Sequence, residues 1–490
     1  MVPRAGCCLA GQILQTFAVL LDPDRLLPAD PGVRRLARAL YAQTRALPII
    51  SPHGHCDPAT FADNAPIGDP AVELVTRDHY VLRMLYSQGV PLEALGVAPL
   101  DGGPAETDGR RIWRTFADGY HLFRGTPSKG WLDHTLAEVF GVPDPLGIDT
   151  ADAIYDHLVD RLAGDDFRPR SLYERFGIEF LATTDGAVDP LVAHDRLRAE
   201  RWAGRVVPTF RPDDVVDPDR PDFAGNVERL ADLTGEDTST WPGYLAALRS
   251  RRAAFIAAGA TATDHGHRTA ATADLPPAEA AALFARVRTG DVSATDAERF
   301  RAQMLTEMAA MSLDDGLVLQ LHAGSWRGHN PSVTARFGPD RGADIPMPMD
   351  YVGALKPLLD RFGNEAGLTI VVYTLDESTY SRELAPLAGH YPALRLGPPW
   401  WFHDSPEGLR RFRQRVTETA GFANTVGFND DARSLLSIPA RHDMVRRVDA
   451  GFLAGLVAEG RLRDDEAAKV ADDLAHGLAR RAFRVGGAGP

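Results

Sequence analysis

The sequence predicts an α/β protein of the (β/α)8, TIM-type barrel class with an α-helical insertion after the first strand. Three observations predict it. Eight short runs rich in apolar and β-branched residues recur along the 490 residues, and helical stretches lie between several of them. Most of these runs end in ionisable residues, as strands do at the functional rim of such a barrel. Between the first and second runs, residues 85–170 carry helical patterns and no convincing strand. A barrel accommodates long insertions, so residues 1–490 read as one domain, although length alone would suggest two or three.

In chain order, residues 31–46 place Val33, Leu36, Ala37, Leu40 and Tyr41 at helical spacing, with Arg34, Arg35 and Arg38 opposite. This helix leads into the first strand, which ends in His53-Gly54-His55 within residues 47–58. Two histidines one residue apart on an extended segment share a face. About 6.6 Å of strand rise separates them, a gap that two neutral imidazoles can close on one divalent ion. Residues 58–70, rich in Pro, Asp and Ala, read as a loop, and 78–90 as a helix ending at Gly89. Inside the insertion, 112–123, 131–140 and 151–162 are helical in pattern.

The later strands are placed at 178–184, 205–210, 316–322, 368–374, 393–397 and 424–429. The fourth is placed at 253–262, although its alanines favour helix. Helices are expected over 277–288, 294–311, 349–362, 407–420 and 448–483, with fraying from 486 to the end.

A net charge of −14 and a pI near 5.5 exclude the basic footprint of a nucleic-acid-binding protein. They leave room for a few arginines focused on an anionic small molecule. Three cysteines, Cys7, Cys8 and Cys56, make no disulfide framework, and the reading is a reducing cytoplasm. The first twenty residues imitate a weak signal peptide. Gln12, Gln15 and Thr16 break its apolar core and no small-x-small site follows, so an extended or misassigned N-terminus is expected. No other apolar run reaches the ~20 residues that span a bilayer, so no membrane partner is expected.

The strand ends carry the chemistry. His53 and His55 end the first; Thr183-Thr184-Asp185 the second; Arg211-Pro212-Asp213 the third. Asp264-His265-Gly266-His267 follows the fourth, His322 with Gly324 and Arg327 the fifth, and Asp376 the sixth. The seventh runs into Trp400-Trp401-Phe402-His403-Asp404 and the eighth into Asp430-Asp431-Ala432-Arg433. Singly, each has an ordinary role: a strand-end Asp caps a helix, a lone His is a satisfied side chain, a Trp pair is core. Jointly they set ionisable groups on one rim.

On these segments the chain resembles the uronate isomerases (glucuronate isomerase type) of the metal-dependent amidohydrolase superfamily, from about residue 22 to 460. Besides the histidine pair, the resemblance is carried by Asp78-His79-Tyr80 with Arg83, Gly125-Thr126-Pro127-Ser128 before Trp131, and Thr183-Thr184-Asp185. It continues through Pro208-Thr209-Phe210-Arg211-Pro212-Asp213, Asp264-His265-Gly266, Gln320-Leu321-His322, Trp400-Trp401-Phe402, and Asp431-Ala432-Arg433-Ser434 to Arg441-His442. Ser51-Pro52 stands where the family often has an acidic residue, and Asp430, Ala432 and Ile438 replace the more usual Thr, Ser and Tyr. These departures remove no ligand and bear on substrate preference.

The resemblance implies an aldose–ketose isomerase that interconverts D-glucuronate or D-galacturonate with D-fructuronate or D-tagaturonate through an enediol. It implies one divalent ion on His53, His55 and Asp431, zinc first, with manganese or iron also suited to imidazole and carboxylate. His322 is a further ligand or a substrate contact, and the resemblance favours the contact. Asp431 would help open the sugar ring, and Tyr80, with His79 beside it, would carry the proton between C1 and C2. Arg211 and Arg433 suit the substrate carboxylate, Asp264 its hydroxyls and Trp401 its apolar face. The implied partner is a small-molecule hexuronate, with homo-oligomerisation left open.

Two other readings remain at this point. A mononuclear metal-dependent hydrolase of the superfamily would share the metal residues. Its relatives usually add a carboxylated lysine or a glutamate at the fourth strand and a histidine at the sixth, where this chain has Asp264-His265 and Thr374-Leu375-Asp376. A non-catalytic sugar-acid binding protein would have no use for a proton carrier.

Overall fold

The computed structural model describes residues 21–486 apart from residue 221. The N-terminal leader reading, Cys7 and Cys8, and the last four residues lie outside that range. The described residues form eleven short strands: β1 Ile49–Ser51, β2 Ile178–Ala182, β3 Asp185–Gly186, β4 Val206–Val207, β5 Phe210–Arg211, β6 Ala262–His265, β7 Val318–Leu321, β8 Ser325–Trp326, β9 Ile345–Pro346, β10 Ile370–Val372 and β11 Leu394–Leu396. One parallel sheet has the order β1-β2-β4, a second β11-β10-β7-β6-β5-β3, and β8 pairs β9 antiparallel. Among the described residues the ladder does not close into a single ring. The two parallel sheets nevertheless join through the chain, since Thr183 N donates to Val207 O at 2.9 Å and Asp185 N to Thr209 O at 3.1 Å across the breaks in their strands.

Parallel strands need long crossovers, and helices supply them and cover the sheet. The strand residues are accordingly buried almost throughout: Ile50, Phe180, Val318, Val371 and Leu394 are each at most 2 % exposed. The main helices are Trp241–Ala257, Pro277–Thr289, Ala294–Asp315, Tyr351–Phe362, Glu377–His390, Pro406–Ala420 and Ile438–Ala458. None of the described helices is long and apolar enough to cross a membrane.

Two expectations are corrected. The fourth strand does not occupy 253–262: residues to Ala257 end a 17-residue helix, Trp241–Ala257, and the strand is β6, Ala262–His265. The alanine propensity was the stronger local signal, helped by Pro242 in the first turn and by Thr240 capping Gly243 N at 3.2 Å. Gly259, at φ 100°, turns the chain into the strand. Residues 58–70 are also not all loop, because Asp57 accepts from Ala59 N at 2.9 Å and starts the helix Pro58–Asp63. Helical segments therefore follow β1 from Pro58 onwards and continue to Arg175 before β2.

The 424–429 segment expected as the last strand makes one parallel bridge, Leu396 to Thr425. Behind it, helix Pro406–Ala420 is tied to helix Ile438–Ala458 by Arg413, whose Nε and Nη2 reach the Asp449 carboxylate at 2.7 and 3.0 Å. Both side chains are under 10 % exposed. Arg413→Ala leaves a buried carboxylate without its partner and is expected to cost about 3–5 kcal/mol of unfolding free energy, read as a lower urea midpoint at unchanged slope.

Candidate active site

The turn after β1 is held against the turn at 430–433 by backbone. His55 N donates to Ala432 O at 2.8 Å, and a Cβ at Gly54 would lie 3.3 Å from that same oxygen. The two imidazoles converge on one carboxylate oxygen: Asp431 Oδ1 lies 3.4 Å from His53 Nε2 and 3.1 Å from His55 Nε2. That oxygen is buried without a hydrogen-bond partner. Burial works against charge on Asp431, yet the two imidazoles hold its carboxyl well below the usual range. Burial also pushes His55 down towards the neutral form. Two imidazole nitrogens and an orphaned carboxylate oxygen form a donor set that suits a divalent ion. The turn is fixed from below: Asp430 accepts from Ala432 N at 3.1 Å and faces His442 Nε2 at 3.0 Å.

His322, at the end of β7, stacks between His53 and Tyr373, with ring centroids 4.2 and 3.9 Å away. Its Nδ1 meets Asp264 Oδ1 at 2.6 Å, while its Nε2 is buried without a partner. The Nδ1–H therefore donates to Asp264, and Nε2 offers a lone pair to the site. Burial pushes His322 down to about 4. Asp264 is fully buried in β6, and its other oxygen faces Arg211 Nε at 3.3 Å. Arg211 also donates to Asp213 at 3.0 Å. Asp264 thus lies beneath His322 and Arg211. His53, Asp264 and His322 form a second metal-capable group that shares His53, and Asp213, His265 and His267 a third.

The helix His79–Ser87 supplies the opposite wall. Asp78 caps it by accepting from Tyr80 N at 2.8 Å, which sets His79 and Tyr80 in the first turn. Trp401 Nε1 donates to His79 Nε2 at 2.6 Å, so the proton of a neutral His79 is on Nδ1. Burial, with the Arg433 charge nearby, pushes His79 down to about 3. Trp401 itself is 4 % exposed and stacks on Trp400 and Phe402. Tyr80 donates its phenolic proton to Asp404, with oxygens at 3.2 and 3.3 Å, and Asp404 accepts from Arg441 Nη1 at 2.6 Å. Arg433 Nη2 stands 3.2 Å from Asp340 Oδ1, and the Arg327 guanidinium lies 5.0 Å from the centre of the Trp401 ring.

One pocket is lined by Asp78, His79, Tyr80, Trp131, Asp431 and Arg433, among others. Among the described residues, seven non-glycine residues have positive φ, and three of them are at this site: Asp340, Trp401 and Asp431. Left-handed backbone at a non-glycine costs free energy, and its clustering here marks a conformation held by its surroundings.

The structure brings the predicted residues around the histidine pair. His53, His55 and Asp431 meet directly, His322 stacks on His53, Arg211 reaches the site floor through Asp264, and Trp401 joins His79. Sequence reasoning gave no role to Asp404, Arg441 or Asp340. Asp404 closes the Trp400-Trp401 run and Arg441 stands one residue before His442, so both lay next to signals that were read. Asp340 sits in a Gly- and Pro-rich turn with no periodicity or motif to single it out.

Comparisons with known proteins find relatives along nearly the whole chain. A family model described as glucuronate isomerase matches residues 33–483. A uronate isomerase of Rhizobium meliloti is 60 % identical over 466 residues, covering 95 % of this chain and 99 % of that protein. The crystal structure of a glucuronate isomerase from Caulobacter crescentus superposes with a TM-score of 0.94 at 56 % identity, covering 96 % of this chain and 98 % of its own. A uronate isomerase structure from Thermotoga maritima follows at TM-score 0.88 and 27 % identity, covering 94 % and 99 %. With matches that run nearly end to end over the segments that build the pocket, this chain belongs to the glucuronate (uronate) isomerase family.

Proposed function

We propose that this enzyme interconverts D-glucuronate or D-galacturonate with the 2-keto isomers D-fructuronate or D-tagaturonate by moving a proton between C2 and C1 through an enediol. The observation that carries the reading is the convergence of His53 and His55 on the orphaned Oδ1 of Asp431, which shares a pocket with Tyr80 and Arg433. His53, His55 and Asp431 would hold one divalent ion, Zn2+ first and Mn2+ or Fe2+ as alternatives, with His322 left to the substrate. Bound there, the ion would supply Lewis-acid polarisation of the sugar carbonyl.

The chain's own groups do the rest. Arg433 and Arg211 offer permanently charged planar donors to the substrate carboxylate. As the ring opens, the Asp431 carboxylate takes the proton of the C1 hydroxyl and hands it to the ring oxygen as the bond from that oxygen to C1 breaks. Tyr80 removes the C2 proton and returns it to C1, which requires one group in reach of both carbons. Neutral His79 donates through Nδ1, Trp401 covers the sugar face and excludes water, and Asp264 orients hydroxyls through His322. A buried phenol on a carboxylate favours proton transfer over hydrolysis or simple binding.

The fold reading is a closed (β/α)8 barrel in one domain, with residues 85–170 as an insertion. Eight chain positions support it: β1, β2–β3, β4–β5, β6, β7, β10, β11 and residues 424–429 neighbour one another in that order. The His55–Ala432 backbone bond lies where the last would meet the first. For a reducing cytoplasm the support is Cys56, buried and without a disulfide among the described residues.

The test is incubation of metal-loaded protein with each hexuronate in D2O. The expected result is ketose from at least one of them, with deuterium at C1 to the extent that the carried proton exchanges with solvent. Tight binding of both sugars without ketose would overturn the reading.

A further inference from the structure

We propose that Asp404, anchored by Arg441, is a positioning residue that accepts the phenolic proton of Tyr80 and so prepares Tyr80 to take the substrate's C2 proton. This rests on the reading of Tyr80 as the proton carrier. Asp404, Tyr80 and Arg441 are 3, 7 and 5 % exposed, so the exchange is shielded from bulk water.

The geometry is that of an acceptor rather than a simple counter-ion. The Tyr80 hydroxyl lies across the carboxylate, 3.2 Å from one oxygen and 3.3 Å from the other. Arg441 binds a single Asp404 oxygen at 2.6 Å, and the same Nη1 also donates to Asp430 O at 3.1 Å. Arg441 therefore ties Asp404 to the turn that carries Asp431. Its guanidinium stands 3.9 Å from the Trp131 ring centre and 5.6 Å from that of Tyr80, where its charge works toward the phenolate against the larger effect of burial.

The backbone serves the same end. Trp401, at φ 56°, opens a single tight turn, Trp401–His403, in which Asp404 N donates to Trp401 O at 3.1 Å. One strained residue thus aims Trp401 at His79 and Asp404 at Tyr80. Burial pushes Asp404 up to about 7, Arg441 opposing and the Asp431 charge adding. Burial and the Asp404 charge push Tyr80 well above its ordinary value. The carboxyl can hold or release a proton near neutrality, while the phenol needs an acceptor at the moment of reaction.

The proton balance closes. The Tyr80 O–H bond breaks and an Asp404 O–H bond forms. The Tyr80 oxygen then takes the proton from C2, and the electron pair left behind enters the enediolate. The proton of the C2 hydroxyl passes to the C1 oxygen, Tyr80 delivers the carried proton to C1, and Asp404 returns its own proton to Tyr80. No oxidant, reductant or co-reactant is consumed.

Asp404→Asn separates the acceptor role from packing, because the amide oxygen still accepts from Tyr80 but takes no proton. The expected result is a kcat at least ~10²-fold lower, with KM within about threefold and bound metal unchanged. Asp404→Glu should recover part of the loss. The double variant Asp404→Asn with Tyr80→Phe should be no slower than Tyr80→Phe alone. A wild-type kcat in Asp404→Asn, or further losses that multiply in the double variant, as a purely structural defect would give, overturns the proposal. If Tyr80→Phe is inactive while Asp404→Asn is fully active, only the Asp404 role fails. If Tyr80→Phe keeps full activity, the reading of Tyr80 fails with it.

Discussion

At the divalent-ion site proposed on His53, His55 and Asp431, Asp431→Asn is expected to lower kcat by about 10²–10³-fold and to release the ion into a chelator that leaves the wild-type metal in place. The substitution keeps the shape of the side chain and removes its charge. In the wild-type protein the carboxylate is held ionised because His53 and His55 both face Oδ1. Asparagine offers a neutral oxygen at the same point, so the two imidazoles lose the negative charge that would complete a divalent site. The backbone should not object, since Asp431 sits at φ 48°, a conformation asparagine adopts as readily as aspartate. An unchanged urea midpoint in the metal-free proteins would place the effect in the site rather than the fold. Metal analysis after dialysis and steady-state kinetics with added Zn2+ check it. Full activity with full metal retention would remove both the ligand and the ring-opening roles of Asp431.

The same pair of turns explains what could be read in advance. The His53-Gly54-His55 spacing follows from strand geometry, and the ends of the β2–β3 and β4–β5 runs, β7 and β11 were legible because buried parallel strands are short apolar runs flanked by polar rims. β6 was not, since its four residues are Ala-Thr-Asp-His, and two of them serve the site or the polar layer around it. Function there erased the hydrophobic pattern that marks a strand. The interior partners of the site were hidden for another reason. The contacts of Tyr80 with Asp404 and of Trp401 with His79 join residues 324 and 322 positions apart, which no local pattern encodes. Arg211 read as a free clamp for a carboxylate, but long-range packing engages it with Asp213 and Asp264. A substrate carboxylate must then compete with or bridge those contacts, whereas Arg433, facing only the partly exposed Asp340, is the freer of the two.

Tyr80→Phe is expected to lower kcat by about 10²–10⁴-fold with little change in KM, because it deletes the oxygen proposed to carry the proton and leaves the ring. The ring has its own structural duties: it stacks on His79 with centroids 4.5 Å apart and meets Trp131 edge-on at 5.6 Å. Phenylalanine preserves both contacts, so loss of packing cannot account for a fall in rate. The removed hydroxyl also frees Asp404, which then has only Arg441 as a hydrogen-bonded partner. That carboxylate becomes a simple buried ion pair, and the stability cost should stay near the ~1–3 kcal/mol of one unmade buried hydrogen bond. The decisive comparison is exchange at C2. Wild-type enzyme should wash tritium or deuterium out of C2-labelled substrate during turnover or transfer it to C1, and Tyr80→Phe should do neither while still binding the sugar and the metal. Retention of label transfer in the phenylalanine variant would assign the carrier to another group and leave Tyr80 as part of the pocket wall.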